Sequence, residues 1–569
     1  MYLILIFEIV IVTCLVGYLI QSYCSKDVSI YVKGMALVSW LINFLLILFL
    51  PFDIYITYRD QSVGDISNDY LSLAETYQIL YWTNFILCWT VIPIMQEYEE
   101  SVELEKKDKL KKALKNNMRF YIIISVVGIV FVLAIFYTGQ TEQCGLGTFL
   151  KSMANSFGVA LIILLLGYGL VIIPKAQMRT SQLDVQLKYL YFRTASINGE
   201  KDDAHHKLME TSMKVIKIKD CRFDNDDMMY YLNKCLNKIP RNMHKILTKE
   251  EEKRKSQILM AITGAIFKNK APESVEEMMS LYQEIRKNSL EYKRIKAQWK
   301  ENCKSAYEME DIIKALNSQD KKIQFSFKKA REGTFAQQLD LLEWYWLCVV
   351  KPQLKIIISL IFGILSILVL ISEVTIFMGT QFTIFGLPLR YVNGLLSISF
   401  FSFIPLLYIA FCVYYGLFRI RIQGFYGLYG DHQTDAPSLM FATINFSRVG
   451  APLCQNFLNM IKLKQETAFR YAMGNIELLP IFGISITALM PCLLIVLCLI
   501  NYFDLFDRTL QLIGMKQFIF NNTFSDRLIY EGRDTLKKNR QYFDRKMKPE
   551  GWSDSSEPLD IELQQKLIL

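Results

Sequence analysis

Nine stretches of mostly apolar residues punctuate this 569-residue chain, near 2–20, 35–54, 76–96, 119–138, 153–173, 356–377, 393–415, 436–461 and 479–501. Each approaches the roughly 20 residues that a helix needs to traverse hydrocarbon. Within lipid the backbone must satisfy its own hydrogen bonds, so such stretches fold as helices. The expected fold class is therefore all-α: a polytopic transmembrane helical bundle of about nine spans. Four parts follow from the spacing: a first bundle half at 1–173 with five spans, a cytosolic helical insert at 174–355, a second bundle half at 356–501 with four spans, and a cytosolic C-terminal tail at 502–569.

Charge is segregated outside the spans, even though 52% of residues are hydrophobic and the formal net charge is +9. Clustered Lys and Arg beside apolar spans point to an anionic membrane surface and away from nucleic acid. Residues 2–20 lack a basic leading region and a small-residue cleavage site, so they read as a first permanent span and not as a signal peptide. Short loops rich in Lys and Arg stay on the cytosolic side. The 97–118 loop carries Lys106, Lys107, Lys109, Lys111, Lys112 and Lys115 and is assigned to the cytosol. Alternation from there puts the N-terminus outside, 21–34 inside, 55–75 and 139–152 outside, and the insert and the C-terminus in the cytosol. One loop dissents: 462–478 falls outside while holding Lys462, Lys464 and Arg470. Of the twelve cysteines only Cys144 lies in a segment assigned to the outside, so no disulfide framework is implied.

The insert reads as helical throughout. Leu183, Leu187, Leu190 and Tyr191 recur at helical spacing, as do Met228, Leu232, Cys235, Leu236 and Ile239, and Ile258, Ala261, Ile262, Ala265 and Ile266. Over about 275–316, Met278, Ile285, Tyr292, Trp299, Ala306 and Ile313 repeat every seven residues, the mark of a helix packed along a partner. The companion row is too polar for a strong parallel dimer. The expectation is a coiled-coil-like antiparallel hairpin with an earlier helix of the insert, turning between about 267 and 274; an intermolecular coiled coil is the alternative. The stripe Met278, Ile285, Tyr292, Trp299 is the candidate partner-binding surface. Residues 526–548 read as a further charged helix.

Particular segments resemble the limb-region-like family of integral membrane proteins, and within it the domain-containing protein 2 branch. They are Leu166-Gly167-Tyr168-Gly169-Leu170-Val171 with Ile173-Pro174-Lys175, Trp344-Tyr345-Trp346, Ser372-Glu373, His432-Gln433-Thr434-Asp435-Ala436 with Ser438-Leu439, Pro452-Leu453-Cys454, Asn456-Phe457-Leu458, Gln517-Phe518-Ile519 and Glu531-Gly532-Arg533. Pro51-Phe52-Asp53 closes the second span in similar character. The resemblance implies nine spans, an outside N-terminus and a helical central insert. It also implies receptor, trafficking or signalling roles, in this branch with G-protein-coupled receptors, and a plasma-membrane location with endosomal or lysosomal membrane as the alternative. It defines no catalytic residues.

Ionisable groups inside spans are the best functional candidates, since a charge near the bilayer centre costs on the order of 3 kcal/mol. Glu8, Glu373 and Arg448, with Asn445 nearby, form the candidate intramembrane polar site, either as helix-pairing groups or as part of a ligand or ion path. The segment His432, Gln433, Thr434, Asp435 is a candidate cytosolic re-entry motif, with Thr434 or Asp435 as helix cap and Pro437 just inside the helix. Asp53 and Glu477 sit at span ends and are expected to be solvated. Pro93, Pro405, Pro452, Pro480 and Pro491 break helical hydrogen bonds, and Gly167 with Gly169 permits close helix approach.

The four histidines have no zinc spacing, no paired C-x-x-C sets occur, and no phosphate-binding glycine loop appears. No metal, cofactor or catalytic residue is expected. The Asn521-Asn522-Thr523 sequon falls on the cytosolic side and is expected to carry no sugar. The chain is thus expected to be a non-catalytic multi-pass protein, a receptor-associated signalling regulator or trafficking scaffold. Its partners would be the lipid bilayer and cytosolic or membrane proteins met through the insert, with homo-oligomerisation left open. A transporter or channel for a small molecule, ion or lipid is the alternative.

Overall fold

The computed structural model describes residues 2–63, 67–137, 146–219, 225–241, 274–326, 335–375, 383–392, 394–419, 426–463, 465–473, 483–503 and 526–546, with a few isolated positions between them. Among these, every regular element is helical, and the only extended pairing is a single bridge between Cys24 and Thr434. The Ile258–Ile266 pattern, most of the expected 267–274 turn, Cys144, Glu477, Gln517 to Ile519 and the Asn521 sequon lie outside the described residues. Two compact units emerge. One joins Met1–Ala176 with Ile358–Phe520, and the other joins Gln177–Ile357 with Asn521–Leu569.

The first unit begins with α1 (Tyr2–Tyr23), α2 (Ile30–Val63), α3 (Asn68–Ile86), a π-helical turn at Leu87–Val91, α4 (Ile92–Glu100), α5 (Lys106–Tyr137) and α6 (Leu146–Ser181). By length and composition, six described helices can cross a membrane: Ile6–Tyr23, Ile30–Gln61, Asn68–Glu100, Phe157–Ser181, Ala336–Val374 and Leu395–Arg419. The expected eighth span is not one helix. It is two 12-residue helices, Ala436–Ser447 and Gly450–Ile461, with a break at Arg448 and Val449. The cause is Pro452, which has no N–H to give the Arg448 carbonyl and whose ring crowds that carbonyl. At roughly 1.5 Å per residue, neither half alone spans hydrocarbon.

Small residues let the helices of this unit approach closely. A Cβ at Gly169 would lie 2.3 Å from the Cys412 carbonyl oxygen, and one at Gly416 would lie 3.0 Å from that of Leu165. These reciprocal contacts bring α6 against the Leu395–Arg419 helix backbone to backbone, the packing that small residues serve in membranes. Its neighbour Gly167 accommodates Leu497 instead.

The second unit contains α7 (Leu183–Lys217), α8 (Asp226–Lys238), α9 (Val275–Leu316), α10 (Ala336–Trp344) followed by a π-helical turn at Tyr345–Val350, and, from the tail, the helix Asp526–Lys546. Ser274 opens α9 by accepting a hydrogen bond from the Glu277 N–H, a side-chain N-cap just after Pro272. Contacts between α7 and α9 run in opposite directions. Tyr191 donates to Glu310 and Asn302 to Thr194, whereas Thr211 accepts from Asn288. Met278 and Ile285 are fully buried, and Tyr292 and Trp299 nearly so, in cores shared with Leu208, Tyr231, Leu232 and Ile197.

The tail helix belongs to this core. Leu536 is buried beside Tyr307, whose hydroxyl donates to the Leu536 carbonyl at 3.0 Å. Arg540 bridges Glu310 at 2.6 Å and Asp311 at 3.0 Å. Gly532 lies so close to α7 that a Cβ there would sit 1.9 Å from the Tyr191 carbonyl oxygen. Replacing Gly532 by Ala is expected to cost about 1–3 kcal/mol of tail docking, as overpacking does. Amide hydrogen exchange in the full-length protein should show 526–546 losing protection while α2 keeps its own; unchanged exchange in the tail would refute the contact.

His205 on α7 is buried and stacks edge-on to Tyr292, with ring centres 5.4 Å apart. Burial, followed in weight by the neighbouring His206, pushes its imidazole below the ordinary 6.5, with Lys201 and Lys296 acting the same way and Asp202 opposing. Between the lowered folded value and 6.5 the unfolded chain binds the extra proton, so stability is complete above that window and declines as pH falls through it. Hydrogen exchange across α7 and α9 should quicken on going from pH 7.5 to 5.5, and His205→Gln should flatten the dependence.

Candidate functional site

The break at Arg448 gathers polar side chains from three helices of the first unit. Continuing the numbering, α11 is Lys351–Val374, α12 Gly386–Tyr391, α13 Leu395–Arg419, α14 Ala436–Ser447, α15 Gly450–Ile461, α16 Ala468–Met473, α17 Gly483–Tyr502 and α18 the tail helix Asp526–Lys546. At the end of α14 the Ser447 carbonyl loses its helical partner, and Asn84 of α3 donates to it at 2.9 Å. Asn84 accepts in turn from Asn43 of α2 at 3.0 Å, and Asn43 also donates to the Ser39 carbonyl at 2.8 Å. The Ser39 and Ser447 hydroxyls meet, and Trp40 donates to Thr443 at 3.2 Å. Gly450 leaves room for Asn43, whose side-chain oxygen would lie 2.2 Å from any Cβ added there. The network thus ties three helices around the break.

Arg448 itself reaches toward α3 and the π-helical turn. Its guanidinium lies over the Trp89 ring at 4.5 Å and near Phe157 at 6.0 Å, and its Nε is buried without an acceptor. Tyr81, Phe85, Cys88, Trp89, Arg448 and Pro452 line a cleft of about 30 Å³.

The expected polar site is not a single cluster. Glu373, 1% exposed, accepts from Asn456 of α15 at 2.6 Å and does not meet Arg448. Asn445 bonds back to the Phe441 carbonyl of its own helix at 2.9 Å. Glu8 sits on α1 with one carboxylate oxygen buried and without a partner in the described structure. Each acid therefore has its own surroundings, which removes the Glu-to-Arg pair as an organising contact.

The His432 segment forms a tight loop against the end of α1. Asp431 and His432 adopt positive φ, 53° and 58°. The His432 N–H donates to the Ser22 carbonyl, the Thr434 N–H to that of Tyr23, and the Ser25 N–H to that of Thr434 at 2.8 Å. His432 Nδ1 lies 3.2 Å from the Cys24 carbonyl, and Gln433 bonds the Asp431 carbonyl. Asp435 takes the N-cap position with extended backbone but makes no side-chain capping bond, and Pro437 follows in the first turn. Thr434 does not cap the helix either: its hydroxyl exchanges hydrogen bonds with both backbone groups of Tyr429.

Asp53 corrects the expectation of a solvated span end. It is fully buried, and its two oxygens accept from the Ala468 and Phe469 N–H groups at 2.9 and 2.8 Å, capping α16 from across the unit. No pattern near Pro51 announces this, because the donors lie some four hundred residues away. The Asn43–Asn84 pair left a faint trace, as amides in two otherwise apolar spans.

A family described as LMBR1-like membrane protein matches residues 1–506. This chain belongs to that family. Among curated proteins it is 29% identical over 485 residues to the "G-protein coupled receptor-associated protein LMBRD2" of Homo sapiens, covering 82% of this chain and 68% of that protein. It is 27% identical over 482 residues to the Xenopus laevis protein of the same name, covering 82% and 66%. It is 26% identical over 485 residues to "LMBR1 domain-containing protein 2 homolog A" of Dictyostelium discoideum, covering 84% and 63%. The matches thus span under two thirds of the frog and Dictyostelium proteins. No solved structure matches the chain. The family match agrees with the resemblance carried by the 166–175, 432–439 and 452–458 segments, and it supports an integral membrane protein.

Asp53→Ala is expected to lower stability by about 1–3 kcal/mol for each amide donor it leaves buried and unpaired. Thermal unfolding in detergent should show a large drop for Asp53→Ala and a smaller one for Asp53→Asn, which keeps one acceptor; equal midpoints for wild type and Asp53→Ala would refute the cap.

Proposed function

We propose that this protein is a non-catalytic, receptor-associated membrane scaffold of the G-protein-coupled receptor pathway. The observation that carries the reading is the naming of several relatives as G-protein coupled receptor-associated proteins, joined to a compact helical second unit that carries exposed charged pairs such as Lys207–Glu291. The stripe Met278, Ile285, Tyr292, Trp299 holds that unit together from within, so partner capture belongs to the faces this core supports. The pairing of α7 with α9 is of the coiled-coil-like kind, antiparallel and intramolecular.

Nine crossings, with the N-terminus outside and the second unit in the cytosol, accompany this reading. The eighth crossing is α14 and α15 in tandem. Contacts between loops support the alternation. Tyr70 donates to the Glu466 carbonyl and Asp53 caps Ala468, which pairs the 55–75 loop with the dissenting 462–478 loop. Tyr426 donates to Glu100, Tyr31 to Glu99, and Thr434 bridges Cys24, contacts that support grouping residues 426–435 with the 21–34 and 97–118 loops on the opposite side. Residence in the plasma membrane completes the proposal.

Proximity labelling from a tag on α9 of the full-length protein, in living cells, tests the function. Seven-helix receptors should be enriched several-fold over an inert membrane protein. Trp299→Ala, expected to cost about 3–5 kcal/mol of core packing, should reduce that enrichment with membrane insertion unchanged. Absence of receptors among the labelled neighbours would sink the reading.

A further inference from the structure

Arg448 presents a chemical imbalance within the membrane-spanning unit. A guanidinium carries five N–H donors and a fixed positive charge. Among the described residues no carboxylate lies within ion-pair distance of it, and its Nε is buried with no acceptor. Its company is the Trp89 ring at 4.5 Å, the Phe157 ring at 6.0 Å and the neutral Cys88 thiol, with which it hydrogen-bonds. Cation–π contact offsets part of the charge through the face of the guanidinium plane. A thiol is a weak, uncharged acceptor, so the buried Nε and the positive charge remain without a strong partner, and in hydrocarbon water does not supply one cheaply.

The surroundings define what could supply it. The helix break made by Pro452 carries Arg448 into the cleft, and the facing helix is a π-helical turn at Leu87–Val91, an irregularity that recurs at functional sites. The inner volume, about 30 Å³, holds two or so water-sized groups when a water takes roughly 10–15 Å³. That is the size of one carboxylate, which also matches the guanidinium fork. Aromatic rings of Tyr81, Phe85 and Trp89 line the approach, and Phe157 is 50% exposed on the apolar surface beside it. An acyl chain suits those walls.

We propose that Arg448 and the aromatic cleft around it bind the carboxylate of a long-chain fatty acid that enters from the bilayer. The proposal is independent of receptor association: it concerns a lipid ligand of the first unit. The carboxylate sits against Arg448, its chain lies along Trp89 and Phe157 toward the lipid, and the pair removes an uncompensated charge.

Purified full-length protein in an uncharged maltoside detergent provides the test, with oleate, methyl oleate and phosphatidate as probes. Oleate should raise the thermal midpoint by several degrees and methyl oleate should not. A dibromo fatty acid should quench tryptophan fluorescence in competition with oleate, and Trp89→Phe should remove that component. Arg448→Gln should weaken oleate at least tenfold, while Arg448→Lys retains the larger part of the affinity. Should Arg448→Gln fail to fold, the oleate against methyl oleate comparison and the Trp89→Phe quenching still decide. Equal protection by methyl oleate, unaltered oleate affinity in a folded Arg448→Gln protein, or protection by phosphatidate without oleate would each overturn the fatty-acid assignment.

Discussion

A helix interrupted inside a membrane-spanning unit frees backbone groups that lipid cannot satisfy, and in this protein Asn84 answers the carbonyl of Ser447. The rest of the first unit depends on that hydrogen bond. It answers the break between α14 and α15 at Pro452, links α14 to α3, and continues through Asn43 to α2. An unsatisfied buried carbonyl costs about 1–3 kcal/mol, enough to favour a straight helix without the break. Because the break exists, Arg448 leaves the helix axis and comes to rest on Trp89.

The same logic recurs at Asp53. Helix α16 is six residues long and has too few internal bonds to stand alone, so a buried carboxylate from α2 completes its N-terminus. Such a carboxylate answers both the orphan N–H groups and the partial positive charge of a helix start. Together, these two polar links join segments remote in the chain, where apolar packing alone does not specify which helix neighbours which.

The second unit is organised by apolar helix-to-helix packing. Its seven-residue stripe is the core between α7, α8 and α9, and the tail helix closes over Tyr307 and Tyr191 through Gly532 and Arg540. Insert and tail, separated by the whole second bundle half in sequence, therefore share one core. A unit built this way presents solvated charged faces, among them the Lys207–Glu291 and Lys214–Glu284 pairs, while Tyr292, Trp299 and Tyr307 stay in its core.

Hydropathy and period were enough to establish the helical class and the apolar helices, because each depends on the local order of residue types. For the same reason the seven-residue period singled out the row from Met278 to Trp299, read there as partner-binding, which the structure buries in the α7–α9 core. Pro452 and Gly169 also announced a break and a close approach. Which partners they meet could not be read from the chain: the Asn84 carbonyl link, the Asp53 cap, the separation of Glu373 from Arg448, and the tail helix against α7 all join residues far apart in sequence. Local periodicity carries the face a helix buries. Only the tertiary structure decides what lies opposite, because pairing between buried polar groups depends on distances that the linear order does not encode.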